Sequence, residues 1–224
     1  MILPMSDWIA FGIYIFIIIG YSWLVETSPW ARYTLSRAMA TTRRAWFIAA
    51  ANRELRMPDG QIMIMQQNGA AYFGSASLLG IGAGFTVLTA ADGLGALAVF
   101  SDEGLALKAL LLMSAYALAF FEFSWAFRLF SYNAIALGAL GLVSEESTNA
   151  SAKKAAALNV VAGQHFNRAI RLFLFAIPLI LWLVSLWAML GALLTLTLIM
   201  LRRQFFTNAQ LDGLTLAWKI DQKG

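Results

Sequence analysis

The sequence predicts an all-α protein of the polytopic membrane class, with four transmembrane helices and a cytoplasmic helical cap. Two observations lead to this prediction. Hydrophobic residues make up 60% of the chain and charged residues only 12%, which is far from the composition of soluble domains. Four apolar runs approach or exceed the ~20 residues that a helix needs to cross ~30 Å of hydrocarbon. They cover residues 8–25, 69–91, 109–127 and 172–201.

The runs are predicted to be helices because none alternates polar and apolar residues as β-barrel strands do. The first run, 8–25, is expected to be a retained anchor. No basic residue precedes it, and residues 26–30 lack the small-x-small pattern of a signal-peptide cleavage site. The four spans use about half of the 224 residues, so 1–224 is predicted to be a single membrane domain.

The distribution of basic residues predicts the orientation in the cell (inner) membrane. Eleven of the 16 Lys and Arg residues lie in the connections that follow the first and third spans, or at their entrance. The connection between the second and third spans has Lys108 as its only base. Cytoplasmic loops carry the excess of Lys and Arg, so both long connections are expected inside and both termini outside. Arg202 and Arg203, after the last span, conflict with that orientation.

The two long connections are predicted to be amphipathic helices that form the cap. Residues 30–56 mix aromatic side chains with six arginines, which suits a helix on the inner membrane surface. Residues 57–60, Met-Pro-Asp-Gly, are expected to end this helix in a turn. Residues 152–171 repeat apolar side chains at helical spacing after a polar turn at 144–151. The tail, 202–224, is predicted to lie at the membrane interface.

Glu122 and Arg128 are the only charged residues in the apolar stretch 109–143. A continuous helix over this stretch would be longer than the hydrocarbon is thick, so it either breaks near Arg128 or projects into the cytoplasm. Ionisable groups at membrane depth are costly and are usually paired or face a cavity. The two side chains point to different sides of a helix, so each needs another partner. They therefore form either structural pairs or part of a polar pathway.

A second set of polar residues lies on the two predicted cap helices. If both helices pack beneath the third span, these residues converge near Arg128 and Asn133. Clustered arginines suit a phosphate or carboxylate ligand, because each guanidinium presents a fork of donors. The alternative is a network of arginines and acids that joins the cap to the bundle, with lipid phosphates taking the excess. The set comprises Asn52, Arg53, Glu54, Arg56, Asp59, His165, Asn167, Arg168 and Arg171.

Small residues in the second span predict a close helix contact. Ala76, Gly80 and Gly84 recur at a spacing of four, which lets another helix approach where hydrophobicity supplies no drive. The partner helix belongs either to the same chain or to a second subunit.

The sequence contains no motif for catalysis, a metal or a cofactor. Without cysteine there is no thiolate zinc site and no cysteine nucleophile. His165 is the only histidine and lies on an apolar stripe, where a packing role is expected. Since the basic residues flank membrane spans, the sequence pI of about 9.6 indicates topology rather than nucleic-acid binding.

Four segments resemble one known family in the right order along the chain. They are NRELRMPD at 52–59, YFGSASLLGIG at 72–82, FEFSWAFR at 121–128 followed by Tyr132-Asn133, and HFNRAIR at 165–171. The chain resembles domain-of-unknown-function 599, a family of bacterial and plant membrane proteins, and departs from it at Met57 and Glu122. The resemblance implies a four-span fold and brings no activity with it.

Two functions remain open. The first is a non-catalytic scaffold or accessory membrane component that self-associates and binds anionic lipid at its arginine-rich inner face. The alternative is a small oligomeric channel or transporter whose pathway passes Glu122 and Arg128. Whether these two side chains face a cavity or neighbouring helices would discriminate between them.

Overall fold

The computed structural model describes residues 4–94, 104–140 and 145–206, together with Asp212, Thr215 and Lys219. The described part of the chain is helical and contains no strand, as the composition predicts. Most of the tail, for which an interfacial segment is predicted, lies outside it. The elements are α1 (Met5–Glu26), a 3-10 helix (Pro29–Tyr33), α2 (Leu35–Ala51), α3 (Met57–Leu94), α4 (Leu105–Ala139), α5 (Glu145–Trp182) and α6 (Leu186–Phe205).

Five of the described helices, α1, α3, α4, α5 and α6, are long and apolar enough to cross a membrane, where the sequence predicts four spans. The difference lies in the run 172–201, which is not one helix. It turns after Trp182, and α6 begins behind Ser185, whose backbone is extended at φ −158° and ψ 137°. Pro178 lacks an N–H and so removes a hydrogen bond near the end of α5. Since Leu183 and Val184 are apolar, hydropathy alone does not reveal the turn.

The helix boundaries on the other side of the bundle also differ from those predicted. Residues 152–171 are not a separate cap helix but part of α5, which already begins at Glu145 within the predicted turn. Met57-Pro58-Asp59-Gly60 does not end a helix but starts α3. Proline is tolerated in a first helical turn, where its missing N–H has no partner to lose, and an acid there suits the helix dipole. The break falls between α2 and α3 instead.

The predicted helix 30–56 is a 3-10 helix followed by α2, and each begins at a side-chain cap. Ser28 Oγ accepts a hydrogen bond from the Trp30 N–H at 3.2 Å and starts the 3-10 helix. Thr34 Oγ1 accepts from the Arg37 N–H at 3.3 Å and starts α2. Such caps satisfy the otherwise unpaired N–H groups of a helix start.

Ion pairs and ring contacts show how the helices are directed. At one end of the bundle, Lys108 Nζ at the start of α4 lies 2.9 Å from Asp7 Oδ2 near the start of α1. Lys108 also lies over the ring of Trp182, at the end of α5. At the opposite end of α1, Glu26 pairs with Arg171 of α5. Consecutive spans therefore run in alternating directions.

The buried side chains form two main layers. One lies between α1, α4, α5 and α6, around Trp182, Phe175 and Tyr14. The other lies at the Glu26 end of the bundle, where α2 packs Phe47 against the last turns of α4 and the first turns of α5. There α4 continues unbroken past Arg128 to Ala139. At ~1.5 Å per residue, its 35 residues are about 52 Å long and extend well beyond a ~30 Å hydrocarbon layer.

Candidate functional site

A cavity of about 660 Å³ lies between the end of α1, the 3-10 helix, α2, α5 and α6. Its volume falls in the range of small-molecule sites, roughly 300–1,000 Å³. Among the described residues that line it, Glu26 is the only acid. The basic residues of the lining are the six arginines Arg32, Arg37, Arg43, Arg168, Arg171 and Arg203.

Four elements bring these arginines to the cavity. The 3-10 helix carries Arg32, and α2 presents Arg37 from its first turn and Arg43 further along. Arg168 and Arg171 lie three positions apart on α5 and therefore share one helix face. Arg203 lies in the last turn of α6, which reaches the cavity only because the chain turns back after Trp182.

A chain of ion pairs connects one wall of the cavity to α4. Arg171 pairs with Glu26 Oε1. Arg168 lies between two carboxylates, 3.7 Å from Glu26 Oε2 and 3.4 Å from Glu122 Oε1. His165 Nδ1 lies 2.7 Å from Glu122 Oε2. Glu122 therefore finds its partners on α5, as a carboxylate in an apolar stretch requires.

A buried polar network holds α2 against α4 and α5. Arg43 Nη1 donates to Asn159 Oδ1 at 2.6 Å, and Asn159 Nδ2 donates to Asn133 Oδ1 at 2.9 Å. Asn133 Nδ2 donates to the Ala155 carbonyl at 2.6 Å. A Cβ at Gly163 would lie 3.1 Å from Arg43 Cζ, so glycine leaves room for the guanidinium. Burial lowers the pKa of Arg43.

The motif that begins at Asn52 forms a separate network, away from the cavity lining. Asp59 Oδ1 accepts hydrogen bonds of 2.6 Å from both Trp46 Nε1 and Arg53 Nη1. Asp59 is fully buried, so it fixes the start of α3 to α2. Asn52 and Arg56 bond to carbonyls of α2, and Glu54 is exposed.

Arg128 makes no hydrogen bond or ion pair with the described residues that were predicted to converge near it. Its side chain is exposed, and its Nε donates to Tyr132 Oη at 2.7 Å. It lies about 30 Å from Lys108 along α4 at ~1.5 Å per residue, a distance close to the thickness of the hydrocarbon core. The described residues place no acid against it within ion-pair distance. Of the predicted set, Asn167, Arg168 and Arg171 line the cavity.

The small residues of α3 face α4 of the same chain. A Cβ at Gly80 would lie 2.6 Å from the ring of Tyr116, and one at Gly84 would lie 2.5 Å from Met113 Cγ. These distances are shorter than van der Waals contact, so only glycine permits this approach. Ala76, one turn before Gly80, is half-buried.

Sequence reasoning missed five charged residues of the cavity as members of a site. Glu26 directly follows the first apolar run, which could have marked it as a boundary partner for an arginine. Arg32, Arg37 and Arg43 were visible only as part of a basic surface helix. Arg203 was placed beyond a single last span because the turn at 183–185, which separates α5 from α6, was not recognised.

Comparison with known proteins gives a family and no function. The chain matches no curated protein and no solved structure. A family profile described as "Protein of unknown function, DUF599" matches residues 9–209, which include α1 to α6 almost entirely. The protein is thus a member of the DUF599 family.

Proposed function

We propose that this protein is a non-catalytic scaffold or accessory component of the cell membrane whose cavity binds the headgroup of an anionic phospholipid. The observation that supports this proposal is the lining, in which six arginines stand against the single carboxylate of Glu26 among the described residues. Guanidinium groups bind phosphate through paired, charge-assisted hydrogen bonds. The excess of positive charge therefore favours an anionic ligand.

The proposed orientation places this cavity on the cytoplasmic side. With five spans, the N-terminus is outside and the C-terminus inside, in place of the two external termini that four spans imply. All of the 16 Lys and Arg residues except Lys108 then lie on the inner side or towards the inner ends of the spans, as the positive-inside rule favours. Lys108 is paired with Asp7, so its charge is compensated. The conflict posed by Arg202 and Arg203 disappears.

The depth of the cavity supports a lipid headgroup as the ligand. Asp7 and Glu26 lie about 28 Å apart along α1 at ~1.5 Å per residue, close to the ~30 Å of the hydrocarbon core. Glu26 therefore marks the inner boundary. Beside the cavity, Trp30 and Tyr33 are 64% and 43% exposed. Exposed tryptophan and tyrosine are typical of the headgroup level.

The alternative of a channel or transporter past Glu122 and Arg128 receives less support. Glu122 is held by His165 and Arg168 of α5, and Arg128 is exposed beside Tyr132. Neither residue lines the large cavity. Among the described side chains, Glu122 is therefore paired and Arg128 is exposed, and the two residues line no common pathway.

Native mass spectrometry of the purified protein tests the lipid proposal. Arg37→Ala with Arg203→Ala removes two cavity arginines, whereas Arg44→Ala with Arg202→Ala removes two exposed arginines of the same helices that do not line it. Co-purified anionic lipid should be depleted in the first double variant and retained in the second. Equal lipid content in both variants would contradict a cavity site.

The same spectra test self-association. Because Gly80 and Gly84 pack against α4, these glycines are not available to an interface between copies, whereas Tyr72, Leu79 and Phe85 of the same helix are exposed. A purely monomeric species in mild detergent and in lipid nanodiscs would contradict this part of the proposal.

Cysteine labelling tests the orientation, and the absence of native cysteine gives a clean background. A cysteine at Ser185, in the turn between α5 and α6, should react with an impermeant reagent from outside. Cysteines at Ser151 and at Thr207, the latter outside the described residues, should react only after permeabilisation. Labelling of Thr207 in intact cells would restore an external C-terminus and contradict five spans.

A further inference from the structure

Two polar groups in the cavity wall are buried without an acceptor. Arg171 is 6% exposed, and its Nε makes no hydrogen bond among the described residues although the same guanidinium pairs with Glu26. Tyr21 is 4% exposed, and its hydroxyl lies beside Gln204 without reaching any described atom at hydrogen-bond distance. Buried donors without acceptors are unfavourable. Both residues line the cavity, although these two atoms have almost no accessible surface, so a ligand acceptor would reach them only if the surrounding side chains moved.

Other donors around the cavity are also incompletely used. The guanidinium of Arg37 forms no ion pair or side-chain hydrogen bond with another described residue, although it lines the cavity. Arg168 divides its charge between Glu26 and Glu122 at 3.7 and 3.4 Å, which is long for charge-assisted hydrogen bonds of about 2.7–2.9 Å. A ligand oxygen in the cavity would offer these groups a closer acceptor.

The balance of charge and acceptors sets the class of ligand. A phosphodiester headgroup carries one negative charge on its phosphate and therefore compensates less of the cavity's positive charge than a doubly charged group does. A phosphomonoester carries about −1.5 to −2 at pH 7 and presents three terminal oxygens. It can accept from more of the arginines, which approach from four elements.

The apolar part of the lining favours a lipid as the source of that phosphate. Val25 of α1, Leu174 of α5 and Met200 of α6 line the cavity together with the arginines. These three helices are candidate membrane spans. A ligand with a charged head and an apolar body fits both parts of the wall.

We infer that the cavity selects a phospholipid whose headgroup ends in a phosphomonoester, over lipids whose headgroup is a phosphodiester. This inference rests on the proposed function, which requires only that the cavity binds an anionic lipid. It adds that the second negative charge and the third terminal oxygen are recognised.

The test compares lipids with identical acyl chains added to delipidated protein and quantified by native mass spectrometry. The probes are phosphatidic acid as the monoester, phosphatidylglycerol as the singly charged diester, and phosphatidylcholine as the neutral reference. Phosphatidic acid should bind at least about tenfold more tightly than phosphatidylglycerol at pH 7.5, as one additional charge-assisted hydrogen bond would produce. At pH 5 the preference should shrink, because the second pKa of a phosphomonoester is about 6.

Matched variants connect the preference to the cavity. Arg37→Ala with Arg203→Ala should bring phosphatidic acid down to the level of phosphatidylglycerol, and Arg44→Ala with Arg202→Ala should leave the preference unchanged. Because large losses could come from misfolding, Arg37→Lys with Arg203→Lys provides a further variant that keeps both charges. It should retain binding of both anionic lipids and lose part of the discrimination, since lysine lacks the planar fork.

Each contrary outcome has a distinct meaning. Equal affinity for the two anionic lipids, both lowered by Arg37→Ala with Arg203→Ala, would overturn the monoester inference and leave the proposed function standing. Equal affinity for all three lipids would overturn both. Glycerol 3-phosphate tests the source of the phosphate. If it displaced phosphatidic acid at equal concentration, it would overturn the lipid part of the inference in favour of a soluble phosphomonoester.

Discussion

The Asp7–Lys108 ion pair offers the sharpest test of the helix packing, because it joins the starts of α1 and α4 beside Trp182 at the end of α5. The carboxylate and ammonium lie 2.9 Å apart, and both side chains are 7% exposed. Lys108 Nζ also lies 5.3 Å from the centre of the Trp182 ring. The pair is therefore largely removed from water and contacts three helices.

The expected energies follow from this burial. Removing one partner of a buried pair leaves the other charge uncompensated and costs about 3–5 kcal/mol. Lys108→Met and Asp7→Asn should each lower the free energy of unfolding by about that amount. The double variant carries no charge at the site and should be more stable than either single variant, because replacing both partners is often nearly neutral. The cycle should therefore show strong coupling between the two residues.

Unfolding of the detergent-solubilised protein, followed by tryptophan fluorescence, measures these differences. Lys108→Met should also change the native emission of Trp182, which faces the ammonium group. Lys153→Met, at an exposed position on α5, should shift stability by no more than about 0.5 kcal/mol. Single-variant costs below about 1 kcal/mol, as for exposed pairs, would refute the buried pair. So would costs that simply add in the double variant.

Three further predictions concern packing and polar contacts. Gly80→Ala should lower the free energy of unfolding by about 1–3 kcal/mol by overpacking against the facing tyrosine ring. Gly82→Ala, whose added methyl group meets nothing within 4 Å, should be neutral or stabilising. Equal melting temperatures of the two variants would contradict the close contact. Asn159→Ala should lower the free energy of unfolding by about 3 kcal/mol or more, since its buried arginine and asparagine partners each lose a hydrogen bond. Asn52→Ala, at an exposed position, is the control. Equal losses for the two variants in denaturant unfolding would argue against the network. Arg128→Leu should cost less than about 1 kcal/mol in the same assay because the side chain is exposed, and a loss above 3 kcal/mol would reveal a buried partner.

The sequence by itself predicted a membrane environment for this protein, its helical class and a concentration of basic residues at one end of the helix bundle. An apolar run of about 20 residues has one way to satisfy its backbone in lipid, so residues 8–25, 69–91 and 109–127 were each predicted within a helix that the structure contains. These are local consequences of composition and length. They require no knowledge of neighbouring segments.

The number of helices that could span a membrane was decided by the tertiary structure. In the run 172–201, one long helix and two helices joined by a turn have the same average hydropathy, and the turn at 183–185 contains neither glycine nor proline. Three contacts with α1 anchor α5: Phe11 stacks on Trp182, Tyr21 packs against Phe175, and Tyr14 donates a hydrogen bond to the Phe175 carbonyl. The chain then returns along α1 as α6. Contacts between distant segments therefore distinguish the two arrangements, and a hydropathy window does not contain them.

The candidate site illustrates the same division. The sequence alone locates most of the arginines in the connections that follow the first and third apolar runs, for which the positive-inside rule predicts a cytoplasmic position. Which of them share a cavity depends on pairings between segments far apart in the chain. Asp59 binds Arg53 away from the cavity, whereas Glu26 holds Arg171 in its wall. The turn after Trp182 adds Arg203 to the same lining. A guanidinium reaches only the acids that the fold places near it, and only the tertiary structure specifies those acids.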